Sequence, residues 1–413
     1  MLDIKFIRDH KQLVAHNNAS RNVAVDLDLL IQLDEQKNVL QKKIDDLRAE
    51  RKQASKSKPD PEEIIRLKKM GETISEHENE QMAIEKKMHE LMILIPNLND
   101  KSTPEGKDES ENKVEKTVGA KPNFDFTPHE HFDVESVKNM IDMERGVKTS
   151  GSRFYYLKDK LAILERALMQ HAVDSMVRNG FELVLPPILV KEEAMYGTGF
   201  FPADKNEVYS VNPGEDNLFL VGTSEVPLIY LHADEIFEEK DLNKKYVAIT
   251  PCFRREAGSY GKDTKGLFRV HQFYKVEMVI FSKPEDSWKL HDELLRFEEE
   301  FILSLGLHYQ VVNVCSGDLG FPAAKKYDCE GWFPGQGRYR ELTSTSNTTD
   351  YQARRSNIKY RTADGKRSYI HTLNGTVTSD RPLLAIIENF QQKDGSVIIP
   401  KVLRPYTNFD ILN

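Results

Sequence analysis

Cysteine is scarce and scattered: Cys252, Cys315 and Cys329 are the three in the chain, and no two of them form a C-x-x-C pair. That spacing excludes a disulfide framework and a zinc site local in sequence, so the three read as reduced thiols. No apolar run approaches the roughly 20 residues needed to cross a bilayer. The opening MLDIKFIRDH carries acids where a secretory signal would place its hydrophobic stretch. A soluble, cytoplasmic chain without a membrane partner is expected. The sequence also lacks a G-x-x-x-x-G-K-[ST] loop, so a bound nucleoside triphosphate would need another architecture. Nor is there a surplus of positive charge: 58 Lys and Arg against 66 Asp and Glu leave a net charge of −8. Any nucleic-acid contact must therefore use a local basic patch.

What is present begins with length. A chain of 413 residues is long enough for one large core and a second module. In residues 27–58 the apolar positions Leu30, Leu33, Leu40, Ile44, Leu47 and Ala54 follow the three-and-four spacing of a coiled-coil seam. Residues 62–95 repeat it with Leu67, Met70, Ile74, Ile84, Met88, Leu91 and Ile95, interrupted by His77 and Gln81. SKPDP, residues 57–61, breaks the pattern between them. Two antiparallel helices of about 30 residues, roughly 45 Å long, are predicted. Their outer faces carry Lys42, Lys43, Arg48, Arg51, Lys52, Lys56, Lys58, Arg66, Lys68 and Lys69. The plain reading is a solvated, charge-laced coiled coil; the sharper one is a rigid arm that grips an RNA backbone.

Residues 97–122 lose periodicity and fill with Asn, Asp, Ser, Glu, Lys, Gly and Pro, the composition of a linker. Beyond them an amphipathic helical pattern at 157–178 mixes with β-rich runs at 181–185, 246–249, 276–281 and 308–314. Strands and helices do not alternate regularly, so an α+β core on a largely antiparallel sheet is expected. The predicted organisation is an arm over residues 1–100, a linker over 101–122 and an α+β domain over 123–413.

The densest segment, CFRREAGSYGKDTKGLFRVHQFYKVE at 252–277, reads as two strands joined by a long Gly- and Lys-rich loop. Strand alternation would put Arg254 and Glu256 on one face, and Phe273, Lys275 and Glu277 on one face of the partner. Cations, carboxylates and an aromatic on a sheet surface suit a polyphosphate joined to a flat base, although a surface hairpin with cross-strand ion pairs has the same composition. Further on, TLNGTVTSDRPLLAIIENFQ at 372–391 predicts an apolar helix with Asp380 as its cap and Pro382 in its first turn. Arg381 then sits beside a loop at Asn374 to Thr376 and at a helix start, where the dipole favours anions, and a bound anion would account for it.

These segments together resemble the class II aminoacyl-tRNA synthetases, and the resemblance to the bacterial-type seryl-tRNA synthetases spans essentially the whole chain. MERGVKTSGSRFYYLKDKLAILERAL through VLPPILV is similar to the first class-defining motif, with its proline at Pro187. CFRREAGSYGKDTKGLFRVHQF is similar to the second, and the segment ending in Arg381 and LLAIIEN to the third. LVGTSEVPL and YRELTSTSN resemble the serine loop and the metal-binding strand, and the hairpin resembles a tRNA-binding arm. The stretch from Asn374 to Arg381 is one residue shorter than the family pattern, with VTSD where small apolar residues are common.

The resemblance implies that Arg254 holds the α-phosphate and the serine carboxylate, that Glu256 reads the adenine edge, that Phe273 stacks on the base, and that Arg381 clamps the triphosphate. Arg269 would approach the outer phosphates, or else partner loop carboxylates. Arg255, Leu342 and Thr343 complete the implied ATP contacts. Glu341 and Ser344 are the implied Mg²⁺ pair, in keeping with that ion's preference for oxygen ligands. Thr223, Ser224, Glu225, Glu277 and Thr376 form the implied L-serine site, with Asn374 as a support behind it. The implied reaction activates serine with ATP and transfers it to tRNA(Ser) on a homodimer, with tRNA(Sec) open as a second acceptor. Two other readings share these residues: a ligase that charges a carrier protein, which the basic arm disfavours, and a non-catalytic interaction protein on the same fold, which the intact charged residues disfavour.

Overall fold

Two long helices dominate the first unit because each has an apolar stripe to bury, and two short helices, Ile4–Asp9 and Lys11–Ser20, precede them. The computed structural model describes residues 1–55, 60–257 and 265–413 and divides into two units, Met1–Pro96 and Asn97–Asn413. In the first, α1 (Leu27–Ala54) and α2 (Pro61–Met92) lie against each other. Asp26 caps α1 by accepting from Leu29 N at 2.9 Å. Asp60 caps α2 by accepting from Glu63 N at 2.8 Å, with Pro61 in the first turn. Leu30, Leu33, Leu40 and Ile44 are buried along one helix and Met70, Ile74, Ile84 and Met88 along the other. Arg66 pairs with Glu50 near one end, and Gln81 Nε2 donates to Gln41 Oε1 at 2.8 Å farther along, so the helices run antiparallel. Of the two polar interruptions in the seam, Gln81 is thus paired with a second glutamine across the arm, and Arg48 adds a bridge to Glu78 at 2.7 Å. Of the breaker SKPDP, residues 57–59 lie outside the described residues, as do Lys56 and Lys58.

The second unit is built on an eight-stranded sheet. Its strands are β1 (Lys113–Val118), β2 (Glu182–Val184), β3 (Lys244–Phe253), β4 (Gln272–Ser282), β5 (Tyr309–Asn313), β6 (Lys325–Phe333), β7 (Arg338–Asn347) and β8 (His371–Ser379). Their spatial order is β1-β5-β6-β7-β8-β4-β3-β2. Every neighbouring pair is antiparallel except β2 with β3. Helices α3 (Asp159–Arg178), α4 (Ser287–Ser304) and α5 (Asp380–Asn389) bury Leu161, Leu164, Leu168, Leu294, Phe301, Leu383 and Ile386 in one core with Val276, Met278 and Val377 of the sheet. The class is α+β with a mostly antiparallel sheet.

Three local expectations need correction. Residues 97–122 are not a bare linker. Asn97 Nδ2 donates to the carbonyls of Pro322 (2.9 Å) and Thr348 (2.7 Å), and β1 pairs with β5 from Lys113 to Val118. The strand escapes pattern reading because it lies at the sheet's edge with five of its six residues exposed, so no hydrophobic alternation is imposed on it. The cap of α5 is Ser379, whose Oγ accepts from Arg381 N at 3.3 Å, rather than Asp380. Asn374 and Thr376 lie within strand β8, which runs directly into α5 without a loop.

Candidate active site

Strands β4, β7 and β8 present their polar side chains around one cleft, bounded by Arg254, Glu256, Phe273, Lys275, Glu341, Ser344, Thr376 and Arg381. Alternation along β4 puts Phe273, Lys275 and Glu277 on this side. Glu277 is buried, and its Oε2 accepts from Lys275 Nζ at 2.6 Å and from Thr376 Oγ1 at 3.0 Å. Thr376 therefore reaches the site although its segment is short.

A second buried carboxylate faces the first. Glu225 opens the short helix Glu225–Tyr230, and its Oε1 accepts from Gln352 Nε2 at 2.7 Å and Asn374 Nδ2 at 3.0 Å. Burial and the charge of Glu277 push its carboxyl up to about 7. Thr223 Oγ1 accepts from Glu225 N at 3.2 Å, and the buried Ser224 Oγ has no partner among the described residues. A ligand ammonium would relieve the repulsion between the two carboxylates, and an orphaned hydroxyl beside them can bond a small polar ligand.

Arg254 follows the end of β3. Its Nε donates to Gly222 O at 3.3 Å and its guanidinium lies 5.3 Å from the centre of the Phe273 ring. Because β3 ends at Phe253, strand alternation does not set the directions of Arg254 and Glu256; Glu256 instead has a left-handed φ of 51°. Arg269 Nη1 meets Glu256 Oε2 at 2.9 Å. Arg255 is tied through its backbone N to Glu207 O at 2.8 Å. Residues 258–264, most of the loop between the two stems, lie outside the described residues. The far stem is pinned where Leu267 N donates to His131 Nε2 at 3.1 Å, and the other ring nitrogen of His131 lies 3.1 Å from Glu388 on α5.

On β7 the register slips at Leu342, so that Glu330 opposes Glu341 while Cys329 opposes Thr343. This bulge brings Glu341 and Ser344, three residues apart, to one face, where a regular strand would separate them. Arg381 Nη1 bonds Glu341 Oε2 at 2.9 Å and its carbonyl at 3.1 Å. Against the upward push of burial, the charges of Arg381 and Lys326 pull the Glu341 carboxyl down to about 2. Leu342 is buried in the core and Thr343 Oγ1 donates to Glu298 on α4 at 2.8 Å, so their side chains turn away from the cleft.

Two residues that local patterns left unassigned belong here. Lys275 neutralises Glu277, and its place on one face with Phe273 and Glu277 was the available signal. Gln352, in the helix Tyr351–Arg355, orients Glu225 while also donating to Thr198 O at 3.0 Å. Nothing local distinguishes it from an ordinary surface glutamine.

The geometry has counterparts. Residues 1–99 match the Seryl-tRNA synthetase N-terminal domain, and residues 207–390 match the tRNA synthetase class II core domain (G, H, P, S and T). A Serine--tRNA ligase of Fervidobacterium nodosum is 45% identical across 100% of this chain and 99% of that protein. One of Thermodesulfovibrio yellowstonii is 44% identical across 100% of both. The crystal structure of seryl-tRNA synthetase from Pyrococcus horikoshii complexed with ATP superimposes with a TM-score of 0.93 at 39% identity, covering 100% of this chain and 99% of that one. Full-length identity at this level, together with both domain matches, decides the matter: the chain belongs to the seryl-tRNA synthetase family of class II aminoacyl-tRNA synthetases.

Proposed function

We propose that the chain is an ATP-dependent serine-tRNA ligase. The carboxylate of L-serine attacks the α-phosphorus of ATP and pyrophosphate leaves. The 3′ end of tRNA(Ser) then attacks the seryl carbonyl and AMP leaves. The observation that carries this reading is the pair of buried, mutually repelling carboxylates Glu225 and Glu277, the latter bonded to Lys275 and Thr376, which line one cleft with Arg254 and Arg381. Glu225 and Glu277 would take the serine ammonium. Thr376, Thr223 and Ser224 would meet its hydroxyl, with Asn374 and Gln352 holding Glu225 in place. A pocket that hydrogen-bonds a substrate hydroxyl rejects alanine because its polar groups would be left unpaired.

Arg254 would bridge the serine carboxylate and the α-phosphate, with Arg381 opposite, Phe273 under the adenine, and Glu256 and Arg269 toward the base edge and outer phosphates. Arg255, Leu342 and Thr343 would contribute through their backbone. Adenylyl transfer needs positioned positive charge rather than a protein nucleophile, which suits this set. The ionised Glu341 and the Ser344 hydroxyl share a face and are hard oxygen donors, so they fit Mg²⁺. When bound, that ion would neutralise charge on the phosphates.

The enzyme is also read as a cytoplasmic homodimer. Val147, Tyr156, Ile163, Leu185 and Leu189 of the first motif are all exposed, an apolar surface that a second copy would cover. Sedimentation equilibrium checks this, and a monomer at micromolar concentration would refute it. The arm's basic faces suit phosphate contacts, which read the shape of a tRNA more than its bases, so tRNA(Sec) stands as a second acceptor to be assayed beside tRNA(Ser). Serine-dependent exchange of labelled pyrophosphate into ATP tests the core reading. Exchange is expected with serine alone, and its absence would favour the non-catalytic alternative.

A further inference from the structure

Asp380 does work that neither a helix cap nor a phosphate contact explains. The last paired couple between β4 and β8 is Lys275 with Ser379, after which β8 turns into α5. The next donor on β4, Tyr274 N, is taken at 3.0 Å by Asp380 Oδ1, so a side-chain oxygen stands where the following backbone acceptor of the ladder would be. Asp380 Oδ2 accepts from the Tyr155 hydroxyl, just before the short strand Tyr156–Leu157. A third element, α3, brings Glu165 into hydrogen bond with the same carboxylate. The other oxygen of Glu165 is buried without a partner among the described residues. Two carboxyl groups can share a hydrogen bond only if one keeps its proton. Burial and the charge of Asp380 push Glu165 up to about 9, which makes it the donor.

The consequence lies one residue to either side. Tyr274 follows Phe273 and Asp380 precedes Arg381, so this single carboxylate joins the strand that carries the adenine wall to the helix that carries the phosphate clamp. We propose that Asp380, held by Glu165 and Tyr155, is a positioning residue that sets the spacing of Phe273 and Arg381 and thereby the affinity for ATP. This rests on the ATP site assigned above. Asp380 is one of the VTSD residues that depart from the family pattern, and the shortened connection gives it its task, since strand and helix abut with no residue between them.

Raising the pH until Glu165 ionises would set two negative charges against each other and loosen the junction. The titratable groups facing the pair are Tyr155 and Tyr274, while Arg166 and Tyr406 line the adjoining cavity of about 760 Å³.

The test is calorimetric titration of ATP, without serine, into the full-length parent, Asp380→Ala, Asp380→Asn and Glu165→Gln between pH 7 and 10, with serine KM taken from pyrophosphate exchange. At pH 7 Asp380→Ala is expected to weaken ATP about tenfold while serine KM stays within about twofold, and Asp380→Asn to recover most of the loss because its amide oxygen still accepts from Tyr274 N. The parent should lose ATP affinity by several fold above about pH 9, and Glu165→Gln, a permanent donor, should not. Asp380→Ala binding ATP within twofold of the parent, or identical alkaline profiles for parent and Glu165→Gln, would overturn the proposal. If Asp380→Ala does not fold, the Glu165→Gln profile decides alone. A parent that does not bind ATP would instead refute the site assignment.

Discussion

The helical arm and the sheet unit bury polar groups in opposite ways. In the arm, the Gln41–Gln81 layer is only partly shielded, and most of the charges sit at the surface, several of them in bridges such as Arg48 with Glu78, with the buried Asp34 held by Arg8 and Lys37 as an exception. In the sheet unit, Glu225, Glu277, Gln352 and Asn374 are buried and each is satisfied by a residue distant in sequence, while the buried Lys275 pairs with Glu277 two positions along its own strand. An arm that works through exposed phosphate contacts needs only stiffness and charge. A site that must distinguish serine from alanine needs polar groups withdrawn from water and fixed before the ligand arrives.

The sharpest way to break this contrast is to remove one buried charge. Glu277→Ala is expected to reduce serine-dependent exchange a hundredfold or more, equivalent to about 3 kcal/mol, because a charge-assisted contact is lost and Lys275 is left buried without its partner. ATP binding measured calorimetrically should persist, and exchange within a few fold of the parent would sink the role of Glu277.

Deleting the arm asks the complementary question. The cut belongs after Pro96, because Asn97 is bonded to Pro322 and Thr348 of the sheet unit. The truncated enzyme should exchange pyrophosphate at the parent rate yet charge tRNA at least tenfold more slowly, with a shallower dependence of charging on salt. Equal charging by the two forms would contradict an arm that binds tRNA.

A pH series sharpens the picture of the carboxylate pair. Glu225 is held at about 7 in the free site, above the usual range for a glutamate, and it must be ionised to take an ammonium. Serine affinity should therefore fall about tenfold between pH 8 and pH 6, as the ionised fraction drops. Glu225→Gln should be weaker throughout and flat over that window. A parent KM for serine that does not change with pH would show that the ligand meets Glu225 in another state.

Thr376→Val carries a smaller expected effect. Replacing the hydroxyl by a methyl removes the bond to Glu277 at nearly constant volume, and roughly 1 kcal/mol, about fivefold in serine KM, should follow together with a narrower preference for serine over alanine. Kinetics with both amino acids check it, and unchanged discrimination would place the serine hydroxyl elsewhere.

The arm was legible by itself because its seam repeats every three or four residues and a proline-bearing breaker separates its two halves. The order of the three motifs, the α+β class and the chemistry-bearing residues from Arg254 to Arg381 were likewise present in the chain as short, dense segments. Only the folded sheet decided the rest. β1 became an edge strand by pairing with β5, a partner about two hundred positions away. The bulge at Leu342 turned Glu341 and Ser344 to one side, which no alternation rule would foresee. Gln352 and Lys275 acquired their tasks from the carboxylates packed against them, and Asp380 traded a local helix cap for bonds to Tyr274, Tyr155 and Glu165. Periodicity and capping are set by neighbours within a turn or two of chain, whereas the partner of a buried polar group is chosen by whichever distant strand or helix shuts it off from water.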